Sequence, residues 1–202
     1  MLVASVALSN IQEQRARLPP ATTDPCVDAV QGVWRAHAFY PHVREWYIFE
    51  LLVQRVPGSA TALTGSMYSH YWTGSPSDEQ PPACAPGVYR RSVTEPATGT
   101  ANGLQINFDG TSWRPAADYC GAPADGYNLD HFSGRIDPAL QEFQSVLNAP
   151  GWVNVPTVFR RIRCVGTAQA STTTPLRPPT KVAAPPLTPQ SRGACGCRVP
   201  GR

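Results

Sequence analysis

The sequence predicts an all-β domain of about eight short antiparallel strands, closed as a barrel or folded as a sandwich. Three observations carry this. Runs rich in Val, Ile, Phe, Tyr and Trp recur between clusters of Gly, Pro, Asn and Asp. Stretches with a helical 3.6-residue hydrophobic period are nearly absent. Proline, at 22 of 202 residues beside 16 glycines, is far too frequent for a helical bundle.

Val33 to Phe39 is the first candidate strand. Trp46 to Gln54 is the second, and Pro57-Gly58 supplies the turn after it. Ala62 to Tyr71 and Val88 to Val93 follow. Leu104, Ile106 and Phe108 alternate with Gln105, Asn107 and Asp109, and Asp109-Gly110 is the expected tight hairpin leading to Thr111-Ser112-Trp113. Tyr127 to Ile136, Glu142 to Leu147 and Trp152 to Ile162 complete the series. Asn148-Ala149-Pro150-Gly151 reads as a hairpin loop, and Pro138 to Gln144 has the composition for one helical turn.

All 18 aromatic residues lie between Trp34 and Phe159, so residues 26–164, from Cys26 to Cys164, are the domain that can bury a core. Residues 165–192 form a Ser/Thr/Pro-rich tract with too little apolar surface to offset the entropy of ordering it, a stalk. Residues 193–202 are a short tail. Leu2 to Leu8 is apolar in the manner of a secretory signal but lacks a basic start, and Ile11 to Arg17 looks like a short polar helix. Residues 1–25 are therefore expected to be a disordered or truncated signal-like terminus. No run of eighteen apolar residues is present, which argues against a membrane-spanning helix. The net charge of +3 belongs to the end of the chain: residues 165–202 carry five basic residues and no acid, whereas residues 26–164 are mildly acidic. A nucleic-acid partner asks for a basic, aromatic-bearing face, and here the uncompensated positive charge lies where there are no aromatics.

Cys26, Cys84, Cys120 and Cys164 stand singly, without the close pairs that zinc requires. Two disulfides and an oxidising compartment are the preferred reading, against four reduced thiols. Cys26 with Cys164 would tie the two ends of the domain and Cys84 with Cys120 two of its loops; the other two connectivities stay open. In the tail, Gly193-Ala194-Cys195-Gly196-Cys197-Arg198 resembles the Cys-Gly-Cys sorting signal of myxobacterial surface proteins, which follows a stalk of this composition. That resemblance implies envelope attachment, with Cys195 as the processing or lipid-attachment site. The apolar segment and arginine cluster that follow the motif in that family do not follow it here.

Gly32-Val33-Trp34 is similar to the Gly-x-Trp of the calycin barrels, the lipocalin and avidin-like proteins. The resemblance implies a barrel rather than a sandwich, with Trp34 plugging one end and Arg160 or Arg161 of the last strand packed across it. Leu63-Thr64-Gly65 also resembles a turn pattern of such barrels. A core tryptophan with no such role is the plainer account of Trp34.

Candidate chemistry is sparse. His37, His42, His70 and His131 are the side chains that titrate near neutrality, but their spacing demands no metal site, and no cofactor fingerprint is present. Asp130 beside His131 invites a catalytic reading, yet neighbours on a strand point to opposite faces. Tyr68, Tyr71, Trp72 and Trp113 are placed near loop mouths and suit stacking on an apolar molecule or a sugar, although any one of them also serves as core. The expectation is a secreted or surface-attached, non-catalytic binding domain for a small apolar ligand or a glycan. A hydrolase or metal-dependent enzyme using His131 with Asp130 or His70, and a structural envelope protein, are the alternatives.

Overall fold

A computed structural model describes residues 2–86, 88–116 and 126–166, with side chains from residue 10 onward. Among these residues the elements run α1 (Leu2–Arg17), β1 (Gly32–Tyr40), β2 (Glu45–Arg55), β3 (Ala62–Thr73), β4 (Arg90–Asn102), β5 (Gln105–Gly110), β6 (Arg114–Pro115), β7 (His131–Asp137), β8 (Glu142–Ala149) and β9 (Trp152–Arg163). Eight strands form a closed antiparallel barrel in the order β3-β2-β1-β9-β8-β7-β5-β4, with β4 returning to β3, and β6 extends β4 where β5 has ended. Successive barrel strands pair with one another and β9 returns to β1, through short turns except for the longer connections from β3 to β4 and from β5 to β7. No helix among the described residues is long and apolar enough to cross a membrane.

Alternation decides which side chains enter the barrel. Trp34, Ala36, Ala38 and Tyr40 of β1, with Tyr47, Phe49, Leu51 and Val53 of β2, point inward and are buried. In the middle Phe132 stands edge-on to Phe49 at 5.2 Å and to Phe159 at 4.9 Å, and Phe143 stacks on Phe159 at 5.7 Å. This part of the interior is filled.

The end below it is plugged. Arg161 lies over the Trp34 ring at 4.9 Å, and its Nη1 donates to the carbonyls of Asp28, Ala29 and Gln31. Gly32 is required by this stack, because a Cβ there would stand 2.7 Å from Cδ of Arg161. Arg160 is the wrong choice for the plug. It is the next residue on the strand, points outward and donates to Glu142 at 2.9 Å. Cys26 is bonded to Cys164 across a sequence separation of 138, holding the segment that crosses the plugged end.

Three expectations need correction. The hairpin is not at Asp109-Gly110: both residues are in β5, and Asp109 pairs with His131. The chain reverses instead at Gly103-Leu104, between Asn102 and Gln105, where Gly103 takes the positive φ of 59° that such a two-residue loop asks for. β4 runs well past Val93, through Pro96, because the missing N–H of that proline falls at the junction between β5 and β6, where no ladder bond is due. The N-terminal segment is also not disordered: α1 docks on the outside of the barrel. Gln14, fully buried, donates from Nε2 to the carbonyl of Pro156 and accepts from the N–H of Val158, both at 2.9 Å. Arg15 pairs with Glu142, and Arg17 pairs with Glu79 while lying 4.9 Å from the Trp46 ring. The polar C-terminal half of the helix is held here by hydrogen bonds to a gap in the sheet.

Cys120, residues 167–192 of the expected stalk, and residues 193–202 with Cys195 lie outside the described residues. Cys84 is exposed, and its proposed partner Cys120 is among those not described.

Replacing Gln14 by Ala leaves a buried N–H and a buried carbonyl of β9 without their partner, and should cost about 2–3 kcal/mol in a urea unfolding experiment. Reducing the Cys26–Cys164 bridge should lower stability by at most about 5 kcal/mol on the loop-entropy account. Peptide mapping without reductant should recover that pair.

Candidate functional site

At the end of the barrel opposite Trp34 the interior changes character. A cavity of about 180 Å³ is lined there by Glu45, Tyr47, Tyr71, Tyr89, Tyr127, Asp130, Leu147, Ala149 and Trp152, with Asn128 and the backbone of Gly126 at its edge. The strands place these groups simply. Glu45 and Tyr47 are the first inward positions of β2, Tyr71 is the last buried inward position of β3, and Leu147, Ala149 and Trp152 flank the hairpin between β8 and β9. The rings pack on one another, Tyr47 stacked on Tyr71 at 4.9 Å and edge-on to Trp152 at 5.5 Å.

Below the rings lies a buried polar network. Asp130, 4% exposed, accepts at Oδ2 from Tyr127 at 2.6 Å and from Ser69 at 2.8 Å. Its N–H donates to Oε2 of Glu95, which is fully buried on β4. Gly110 makes room for this contact, since a Cβ there would be 2.1 Å from Oε2. Burial, and then the charge of Asp130, push the Glu95 carboxyl up to about 9. Burial also raises Asp130, opposed by the donors Tyr127 and Ser69. Two carboxyls this close share a proton, and the donors aimed at Asp130 favour Glu95 as its holder at neutral pH. Burial likewise raises the Tyr47 and Tyr127 phenols, so both are neutral donors, and it raises Glu45, against which the hydrogen bond from Tyr47 at 2.8 Å acts. Arg91, buried beside the network, donates to the carbonyl of Gly126 and lies 4.7 Å from the Trp113 ring.

Of the four aromatic residues expected at a mouth, Tyr71 alone lines the cavity. Trp72, its neighbour on β3, necessarily faces out. It is fully buried there against Trp46, with Nε1 donating to the carbonyl of Asp78 in the segment that follows β3. Tyr68 faces out on the same side and donates to Ser92. Trp113 lies under the Arg91 guanidinium and tilted against Tyr127, outside the cavity lining. The histidines do not meet the acids proposed for them. His131 faces outward to Asp109 at 3.1 Å while Asp130 faces in, and His70 bonds Ser92 on the outer face. His37 packs on Trp46 and Trp72, and His42 on Trp152. Among the described residues, no group of three or more His, Cys, Asp or Glu side chains is arranged to hold a metal ion.

Sequence reasoning passed over Glu45, Tyr47, Tyr89, Glu95, Tyr127 and Trp152. One signal was available: Val93, Glu95 and Ala97 share a phase, which marks Glu95 as an inward carboxyl.

Because the folded protein holds the Glu95 proton from its ordinary 4.5 up to about 9, the unfolded chain loses that proton first as pH rises. Stability contributed by this group is whole below the lower value and is lost across the window, by at most about 1.4 kcal/mol per pH unit. Urea midpoints measured from pH 5 to 9 should fall for the wild type. They should be flatter for Glu95→Gln, which keeps a neutral side chain throughout.

No protein-family model, no curated protein and no solved structure matches this chain.

Proposed function

We propose that this protein is a secreted or cell-surface binding protein, not an enzyme, that takes a small molecule into the open end of its barrel. The observation that carries the reading is the contrast between the two ends: phenylalanines fill one half and Arg161 and Trp34 close it, while a 180 Å³ cavity walled by tyrosines and Trp152 is left at the other. A barrel that served only as a structural piece has no need of such a cavity, nor of the buried carboxyls beneath it, which destabilise a core unless they are fully satisfied. The cavity is below the usual range for drug-sized ligands, so the ligand is compact. It has an apolar body to lie against the rings and a polar end for Glu45 or Asp130.

The placement of the four histidines supports binding over hydrolysis, since His37, His70 and His131 lie on the outer face and His42, though near Glu45, makes no hydrogen bond to it. A glycan held on an aromatic rim has less support, because Trp72 is covered. The eight-stranded meander with its Trp34–Arg161 plug supports the calycin likeness. The Cys26–Cys164 bridge supports maturation in an oxidising compartment. Attachment through Cys195 rests on the tail sequence.

A thermal-shift screen of compact metabolites tests this reading. A true ligand at a hundred times its Kd should stabilise the wild type by about 2.7 kcal/mol. It should have little effect on Ala149→Phe, in which the new ring fills the cavity. A screen without a stabilising compound, or stabilisation unchanged in Ala149→Phe, would count against the proposal.

A further inference from the structure

We infer that the ligand of this cavity is an organic ammonium ion: a compact apolar or aryl body carrying a primary amine. This rests on the binding reading above and goes on to specify its chemistry.

The first observation is the balance of donors and acceptors around the cavity. The hydroxyl of Tyr47 is donated to Glu45 and that of Tyr127 to Asp130. Arg91 donates to the carbonyl of Gly126, and the Asn128 amide points to the carbonyl of Pro150. The carboxyls keep acceptor capacity: a carboxylate offers about four lone-pair sites, and Glu45 receives one phenol. A ligand that donates hydrogen bonds fits these carboxyls.

The second observation is charge. Two carboxyls line the cavity, Glu45 and Asp130, and neither makes a salt bridge with an arginine or lysine among the described residues. Elsewhere the protein pairs its buried acid with care, giving Glu142 both Arg15 and Arg160. His42 is near enough to Glu45 to favour its charged form, but neither carboxyl has a permanently charged partner, and a cation entering beside such a group stabilises it. Arg91 sits behind Tyr127 and Tyr71 and is not part of the lining, so the face presented to a ligand is anionic.

The third is the wall itself. Tyr47, Tyr71, Tyr127 and Trp152 surround the space with rings, whose faces attract a cation and whose area accepts an apolar body. A primary ammonium satisfies all three observations together; a quaternary one lacks the donors.

The test uses three probes of nearly one shape, benzylamine, benzyl alcohol and benzoate, titrated calorimetrically at pH 7 into the full-length protein and into Glu45→Gln and Ala149→Phe. Benzylammonium should bind the wild type at least about tenfold more tightly than benzyl alcohol, with benzoate weakest. Glu45→Gln should bind the amine no more tightly than the alcohol, with circular dichroism confirming that the variant is folded. Ala149→Phe should abolish binding of all probes. Equal or tighter binding of the alcohol or of benzoate, or an amine preference that survives in Glu45→Gln, would overturn the ammonium assignment and leave the binding reading standing. Absence of binding by all three to the wild type, together with a screen that yields no ligand, would overturn both.

Discussion

The first and last strands of this barrel meet over a short seam, and much of the structure is arranged to hold it shut. β1 and β9 pair only where Val33 to Arg35 face Arg160 to Arg163, with a bulge at Val33/Trp34. Past that point the edge of β9 has no strand beside it, and the exposed ladder groups of an open barrel would invite water or another chain. Gln14 from α1 takes the place of the missing strand at Pro156 and Val158. Tyr40 bonds Thr157 across the same gap from inside. Arg161 and Trp34 close the seam from within the plugged end, and the Cys26–Cys164 bridge holds the two chain segments that flank it. Helix, plug and disulfide are three answers to one demand, that a meander of strands must join its ends.

Closing the sheet this way divides the interior. Near the plug the seam is tight and the inward positions carry Trp and Phe, which pack to the density of a core. Toward the other end the inward positions carry Tyr, Glu and Asp, and their packing leaves space. The polar groups there are expensive to bury and are satisfied mostly by one another: Tyr127 and Ser69 serve Asp130, Asp130 serves Glu95, and Tyr47 serves Glu45. One proton held on Glu95 keeps the buried pair from carrying two negative charges. The wall that results combines rings with carboxyls that can still accept hydrogen bonds, the combination on which the proposed ammonium ligand rests.

Much of the strand series was legible in the sequence. Residues 33–39, 46–54, 62–71, 105–109, 142–147 and 152–162 alternate or are rich in β-formers, and each falls in a strand. The reversal between β4 and β5 was misplaced because Asp109-Gly110 and Asn102-Gly103 are both turn dipeptides. The phase of Ile106, Phe108 and Gly110, all facing inward, settles between them. α1 was not legible as a docked element, since its anchors are single polar residues whose partners lie 62 to 144 residues away. The site was only partly legible. Tyr71 and Asp130 were singled out, but Tyr71 was grouped with Trp72, and Asp130 with His131, in each case a neighbour that a strand sends to the opposite face.

What the sequence determined by itself is local: where strands run, where they turn, and that odd and even positions within each must part company, because backbone geometry and side-chain shape act over a few residues. What the tertiary structure decided is which of those two sets faces in and which end of the barrel is left unfilled. Both follow from closure, the joining of β9 to β1, in which residues far apart in the chain meet. No local pattern of residues specifies the space that remains when they do.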